Sequence, residues 1–443
     1  MSAKDVTIGI DIGTTSVKAV AADDDGNVLA RTRIPHRLRV PAPDRLEHDA
    51  DEAWRRGPLA AMAELARPDA RAAVVTAMVP SLAAVDAAGR PITPGLLYGD
   101  ARGRRAGGDE RSFLSGEAVE FLHWAVGEAP DAHGYWPATA VANHALAGEA
   151  VIDNATASTT YPLFDGLGWD ESVCAECGTT ADRMPRIEMT GKAAGQVRGT
   201  DAVLGTGAAD ALCEQLVAGA DSDGDVLVLC GTTLIVWVTI PEYREVPGLW
   251  TLPHTAVGKS QIGGPSNAGG LFLGWVDRLV GGHDGAVEAR RIPVWSPYIR
   301  GERTPYYDPD RRGVLDRLDL THDGAAVRRA AFEASGFVVR QLIELSGASA
   351  SRIVATGGGT RVGPWMHALA DATGLPVAVS AVPEGAALGA AFLARMAAGL
   401  ESSVTDAARW ASTETVVEPD PGWIEPVADR YGRFLELAGQ VGG

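Results

Sequence analysis

The sequence predicts an α/β protein built as two similar lobes with a cleft between them, and three observations carry that expectation. The run Gly9-Ile10-Asp11-Ile12-Gly13-Thr14-Thr15-Ser16-Val17-Lys18-Ala19-Val20 is echoed in outline by Cys230-Gly231-Thr232-Thr233-Leu234-Ile235-Val236-Trp237-Val238. Each copy is an apolar run, a Gly-Thr-Thr turn and a second run rich in Val and Ile, the pattern of two strands joined by a tight hairpin. The chain has 443 residues, more than one hydrophobic core ordinarily serves, so two domains are the default. Near its end, strand, glycine turn, helix and strand follow one another as in a βα unit. The expected division is 1–220 for the first lobe and 225–443 for the second, with Asp221-Ser222-Asp223-Gly224-Asp225 as the linker.

After the first hairpin, Asp23-Asp24-Asp25-Gly26-Asn27 supplies a turn into a strand at 28–33. That turn lacks the alternating ligands and distal Glu of a calcium loop and reads as a solvated turn. Helical spacing covers 50–66, a buried strand 73–79, and a turn 88–91. A helix from 210 to 219 closes the first lobe. In the second lobe the apolar positions Val327, Ala331, Phe332, Phe337, Val338, Leu342 and Leu345 mark the core stripe of a helix over 325–345. A strand at 352–356 runs into Gly357-Gly358-Gly359, then come a helix at 363–373, a strand at 376–380 and a small-residue helix at 384–398 with Gly399 beyond its end.

Composition excludes several classes. Lys and Arg number 39 against 57 Asp and Glu, a net charge of −18, which argues against nucleic acid because phosphate-backbone binding depends on clustered cations. The longest apolar stretch, 72–85, is broken by Pro80 and too short to span a bilayer, so no membrane partner is expected. A strand begins almost at Met1, leaving no room for a signal peptide, and a cytoplasmic location is the expectation. Cys174 and Cys177 form a single close pair with neither a second pair nor a thioredoxin-like context, so a metal or redox site is not expected; Cys213 and Cys230 read as small core residues.

The chemistry concentrates at the hairpin tips. A tip of Gly and hydroxyl residues offers backbone N–H and side-chain O–H donors without bulk, which suits phosphate oxygens, and two such tips facing each other would clamp a triphosphate. Asp210, in Gly207-Ala208-Ala209-Asp210-Ala211, stands at a helix start among small residues. It could be a helix cap or a carboxylate that receives a hydroxyl proton during phosphoryl transfer. Asp11 lies between Ile10 and Ile12 in a buried strand, where an unpaired carboxylate costs several kcal/mol on order-of-magnitude grounds; a magnesium ion or its waters would compensate it. Glu47-His48-Asp49, Asp100 and Arg102 supply the directional polar groups that polyol recognition needs.

Together these elements resemble the FGGY family of carbohydrate kinases, which share the duplicated ribonuclease-H-like fold of actin and hexokinase. The likeness extends through Tyr98-Gly99-Asp100-Ala101-Arg102, Ala157 to Asp165, Gly301-Glu302-Arg303-Thr304-Pro305, Gly357-Gly358-Gly359 and Gly385 to Ala391. It implies Asp210 as catalytic base and Asp11 as the acid that orients Mg2+. It implies Gly13, Thr14, Thr15, Lys18, Gly231, Thr232 and Thr233 at the phosphates of ATP, and Gly357, Gly358 and Gly359 at the adenosine. Asp100 and Arg102 match the Trp-x-Asp-x-Arg element near the sugar, with Tyr98 in place of Trp. Departures fall on the substrate side. Met78-Val79-Pro80-Ser81 stands where xylulokinases carry Gln-Met-His-Gly, Ala211 where they carry Asn, and Phe121 at the position of a family Lys. Val79, Pro80 and Ala211 therefore line the sugar pocket with fewer polar groups. The function expected is ATP-dependent phosphorylation of a ketopentose or related polyol, the alternative a non-catalytic nucleotide-dependent sugar sensor; a carboxylate at Asp210 favours the enzyme. The sequence leaves the assembly open, with a homodimer as one option.

Overall fold

Each Gly-Thr-Thr segment forms the tip of an antiparallel hairpin at the centre of its own sheet. In the computed structural model, which describes residues 5–42, 44–103, 117–281 and 285–439, the first hairpin pairs β1 (Val6–Ile12) with β2 (Ser16–Ala22), and β2 with β3 (Val28–Pro35). Every residue of β1 is buried, as its unbroken apolar run on both faces requires. On its other side β1 runs parallel to Ala70–Ala77, which runs parallel to Val203–Gly205, and Ala193–Gln196 closes the six-stranded sheet. The second sheet repeats this order. Asp225–Cys230 pairs antiparallel with Leu234–Ile240, and that strand with Ser260–Ser266. On the opposite side Asp225–Cys230 lies parallel to Arg352–Thr356, then Val377–Ser380. Duplication is therefore a property of the topology as well as of the tips.

Several elements match the periodicity closely, including helices Gly324–Ser346 and Gly363–Thr373 and the strand Arg352–Thr356. Where 50–66 predicts one helix, the chain forms a π-helical turn, Asp51–Arg56, followed by an α-helix, Gly57–Leu65. Pro58 has no N–H to continue the ladder, and Gly57 N–H reaches back to Glu52 O. The expected linker is shorter than five residues. Asp225 already begins a strand, and its buried carboxylate holds Arg352 through bonds of 2.8 and 2.9 Å.

The division of the chain differs from a single cut near 220. One compact unit comprises Met1–Val217 and Glu384–Trp410, the other Ala218–Pro383 and Ala411–Gly443. The second stretch of the first unit contains the helix Gly385–Ala397, whose Ala386, Ala387, Ala390 and Ala391 are all buried. Small side chains let its backbone lie directly on β1, where Thr7 Oγ1 donates to Ala391 O at 2.8 Å. A Cβ on Gly9 would collide with the Ala387 carbonyl. The acidic β2–β3 turn completes the attachment. Asp23 closes the turn by accepting from Asp25 and Asn27 N–H at 3.0 Å each, Asp24 pairs with Arg395 at 2.8 Å, and Trp410 Nε1 donates to Asp24 O at 3.2 Å. That turn is an anchor, and only partly the solvated loop its composition suggests.

The same helix touches Asp210–Ala218, since a Cβ on Gly389 would overlap the Cys213 carbonyl. Gly389→Ala should therefore force the two helices apart. We expect a loss of about 1–3 kcal/mol in urea unfolding, the usual range for overpacking, accompanied by a fall in kcat because the Asp210 helix is displaced. Unchanged stability and turnover would show that the contact has slack.

Candidate active site

Antiparallel register places Asp11 directly opposite Lys18, and Lys18 Nζ lies 3.4 Å from Asp11 Oδ2. Burial raises the Asp11 carboxyl above its ordinary range, and Lys18 works against that rise. Lys18 is itself raised, chiefly by Asp11 and further by Glu214 and Glu384. The charge that compensates Asp11 within the protein is a lysine on the neighbouring strand, and Lys18, expected at the phosphates, is engaged among carboxylates. The tip itself is tight, with Gly13 N–H donating to Ser16 O at 3.1 Å. Gly13 and Thr14 are half-buried and Thr15 is exposed.

Asp210 is delivered by the end of the strand Ala70–Ala77. Thr76 Oγ1 donates to Ala208 O at 2.6 Å, and a Cβ on Gly207 would come within 2.5 Å of Val75 O, so the chain can hug the strand only with glycine there. The helix Asp210–Ala218 then begins, and Ala209, not Asp210, is its cap: the Ala209 carbonyl accepts from Leu212 and Cys213 N–H at 3.0 Å each. The Asp210 carboxylate is thus spared from capping and, among the described residues, accepts a single 2.8 Å bond from Ala211 N–H. Burial, then the negative charges of Asp11 and Glu214, push its pKa up to about 7, while Ala211 N–H and Lys18 pull it down. As a residue Asp210 is half-buried, and its carboxyl group is enclosed by the protein. A carboxylate that titrates near neutrality is suited to accept a proton. One turn on, Glu214 is buried and accepts from Ala386 N–H at 3.0 Å, tying this helix to the start of Gly385–Ala397. Nothing in the sequence marks Glu214 and Glu384 as joining the site, because both reach it through a contact between segments far apart in the chain.

The expected sugar-side residues divide. Asp100 is fully buried and accepts from Leu46 N–H at 2.7 Å and from Arg102 through Nε at 2.9 Å and Nη2 at 2.7 Å. It has no surface to offer a ligand, and its work is to hold Arg102. Arg102 also pairs with Glu47 at 2.7 Å and lies 4.9 Å from the centre of the Trp124 ring. Val79, Pro80 and Ala211 are half-buried; the first two connect Ala70–Ala77 to the strand Ser81–Val85, and Ala211 follows Asp210 in the first turn of its helix.

In the second unit, Gly231, Thr232 and Thr233 are half-buried, and Gly231 N–H bonds to Thr233 O at 3.2 Å. Unlike the first tip, this one is braced by a helix. The Gly231 and Thr232 carbonyls accept from Gly270 and Leu271 N–H, at 2.8 and 3.0 Å, at the start of Gly270–Val280. Gly357-Gly358-Gly359 lies beside it. Gly357 has φ +91°, a Cβ on Gly359 would stand 2.7 Å from Cys230 O, and Gly358 is exposed with open space around it. One glycine makes the turn, one makes the packing, and the middle one leaves backbone accessible to a flat ligand.

All four cysteines are buried, and among the described residues no group of three or more His, Cys, Asp or Glu could hold a metal ion. Residues 6–106 match the N-terminal domain, and 226–398 the C-terminal domain, of the FGGY family of carbohydrate kinases. The chain belongs to that family. It is an ATP-dependent carbohydrate kinase with a two-domain actin-like fold. This FGGY kinase is 26% identical to a gluconokinase of Bacillus subtilis, with 88% of this chain and 87% of the relative aligned. It is 25% identical to the xylulose kinase of the same organism, with 90% of each aligned. Among solved structures, a xylulose kinase from Rhodospirillum rubrum superposes with a TM-score of 0.75 at 26% identity, covering 97% of both chains. A gluconate kinase from Lactobacillus acidophilus, 19% identical and covering 98% of both, reaches 0.80 and shares the fold.

Asp210→Asn keeps an oxygen for Ala211 N–H but cannot accept a proton. We expect turnover to fall by about two to four orders of magnitude with ATP affinity retained. Because the native state disfavours the charged form of Asp210, the ionised carboxylate costs stability at any pH above its folded pKa. The same variant should therefore melt higher than wild type at pH 8, with a smaller gain at pH 5. Near wild-type turnover would remove Asp210 from the mechanism.

A second expectation concerns pH. In wild type, kcat/KM should rise through about pH 7 as Asp210 deprotonates. Asp11→Asn removes a neighbouring negative charge, so it should move that limb to lower pH in whatever activity remains. A limb that stays in place would mean another group controls it.

Proposed function

We propose that the acceptor is a neutral, open-chain ketopentose or related polyol, that its hydroxyl is deprotonated by Asp210, and that the Gly13-Thr14-Thr15 and Gly231-Thr232-Thr233 tips contact the phosphates of ATP. The observation that carries the proposal is Asp210 itself: at the first turn of its helix, free of capping duty and held near neutrality by its surroundings. A nucleotide-dependent sensor would have no use for a carboxylate so disposed. Within the Gly357-Gly358-Gly359 turn, Gly358 offers the adenosine an open stretch of backbone. The relatives named gluconokinase, xylulose kinase and glycerol kinase act on linear polyhydroxylated molecules, so they agree on chain type without agreeing on substituents.

Charge separates these options. One Arg102 guanidinium stands between the Asp100 and Glu47 carboxylates, which leaves the cluster net negative and ill-suited to a carboxylate substrate. Val79, Pro80 and Ala211 add apolar wall, and a substrate hydroxyl buried without a partner is penalised by about 1–3 kcal/mol.

Magnesium ordinarily takes one or two protein carboxylates and completes its shell with substrate phosphates and water. Asp11 and Asp210, close enough for Asp11 to raise the Asp210 pKa, fit that role better than a preformed protein cage. When bound, the ion would neutralise phosphate charge. The protein's own part is to hold the two carboxylates beside the first tip and to take the hydroxyl proton at Asp210.

Measuring kcat/KM with ATP over D-xylulose, D-ribulose, glycerol, deoxy-ketoses and gluconate tests this. We expect a neutral polyol to exceed gluconate by about tenfold or more, and a deoxy or shorter analogue to compete with D-xylulose. Gluconate as best substrate would overturn the charge argument; D-xylulose far above every deoxy and shorter analogue would overturn the role given to Val79, Pro80 and Ala211.

A further inference from the structure

The first hairpin tip is held from beneath by a histidine whose tautomer the protein dictates. His48 is fully buried at the end of the strand Arg45–His48. Its Nδ1 accepts the indole N–H of Trp54, itself fully buried, at 3.0 Å. With Nδ1 an acceptor, the proton of the neutral ring resides on Nε2, and Nε2–H donates to the Thr14 carbonyl at 2.8 Å. Burial and the nearby His36 hold His48 far below its ordinary pKa, at about 3, so this arrangement persists across working pH. His36 packs edge-on against the ring at 4.5 Å between centroids and donates its own backbone N–H to Thr15 O at 3.1 Å. Tyr98, on the segment that leads to Asp100 and Arg102, shares a 3.0 Å hydrogen bond with the Thr14 hydroxyl. Both tip carbonyls, of Thr14 and Thr15, are thus drawn inward.

We propose that His48 is a positioning residue for phosphoryl transfer: by taking the Thr14 carbonyl on its Nε2–H, it turns the tip's carbonyls away from the nucleotide and leaves the Thr14 and Thr15 N–H groups for the phosphates. The physical demand is plain. A carbonyl facing a triphosphate repels it, and a four-residue turn has few other ways to dispose of two carbonyls. The brace also spans the site, because the strand that bears His48 carries Glu47, the partner of Arg102. This inference rests on the reading of Gly13-Thr14-Thr15 as a phosphate grip, and the test separates the two.

Asn at this position places an amide near Nδ1, and can keep Trp54 satisfied while losing Thr14. Gln places an N–H near Nε2 and can restore the bond to Thr14. We expect His48→Asn to raise KM for ATP by about tenfold, the effect of one lost hydrogen bond to a buried acceptor. The sugar KM should change far less, and His48→Gln should recover most of the loss. Melting temperatures of the two variants check that both fold, and a nitrogen NMR spectrum of the imidazole should show one Nε2-protonated tautomer in wild type and a mixture in Trp54→Phe. Gly13→Val serves as the control on the grip. If Gly13→Val raises the ATP KM and His48→Asn does not, His48 is only a core residue and the proposal fails. If neither variant moves the ATP KM, the grip reading fails and takes this proposal with it.

Discussion

The arrangement of the first unit depends on one constraint, the backbone-to-backbone approach of the helix Gly385–Ala397. It reaches β1 at Gly9 and the Asp210 helix at Cys213, and a Cβ at Gly9 or Gly389 would overlap a carbonyl. Glu214 secures the same junction by accepting the Ala386 N–H. Asp11 on β1 and Asp210 on its helix are therefore carried by elements that a single small-residue helix brings together, near enough for Asp11 to raise the Asp210 pKa. Packing at this density transmits displacement rather than absorbing it. A residue far from the chemistry in sequence thus governs the spacing of the two carboxylates.

That spacing sets the electrostatics. Lys18 sits among Asp11, Glu214 and Glu384, with Arg31 pairing Glu384 at 3.2 Å. Asp11 has the lysine beside it, and Asp210 feels it only weakly. Both carboxyls are raised by burial, but like charge falls on Asp210 and the lysine on Asp11, so their surroundings drive them toward different behaviour. A substrate hydroxyl meets a base poised near neutrality, while the carboxylate beside the lysine stays available for a cation carried in on the phosphates. Such a site trades stability for reactivity, which is why the active-site carboxylate opposes folding at alkaline pH.

The two hairpin tips show how one local motif is braced in two ways. At the first, a buried histidine, a histidine N–H and a tyrosine hydroxyl engage Thr14 and Thr15. At the second, the first turn of Gly270–Val280 donates to the Gly231 and Thr232 carbonyls. In both, carbonyls are withdrawn into the fold. The shared result follows from the shared requirement of any anion-binding turn, and the different means reflect which elements the topology puts beneath each sheet.

The motifs were legible because each is local. Alternating apolar runs around Gly-Thr-Thr, the periodicity of 325–345 and the triple glycine after a strand are each contained within a few turns of chain, where backbone preference and side-chain period dominate. The resemblance built on them also named Asp210 and Asp11. What only the tertiary structure decided are pairings between distant segments. Lys18 neutralises Asp11 because antiparallel register sets them opposite. Asp100 serves Arg102 and Leu46 rather than a ligand because the strands around it leave it no surface. Glu384–Trp410 joins the first unit because small side chains at 386–391 fit β1 and Arg395 finds Asp24. Burial and charge are sums over the whole surroundings of a group, and no window of sequence contains those sums.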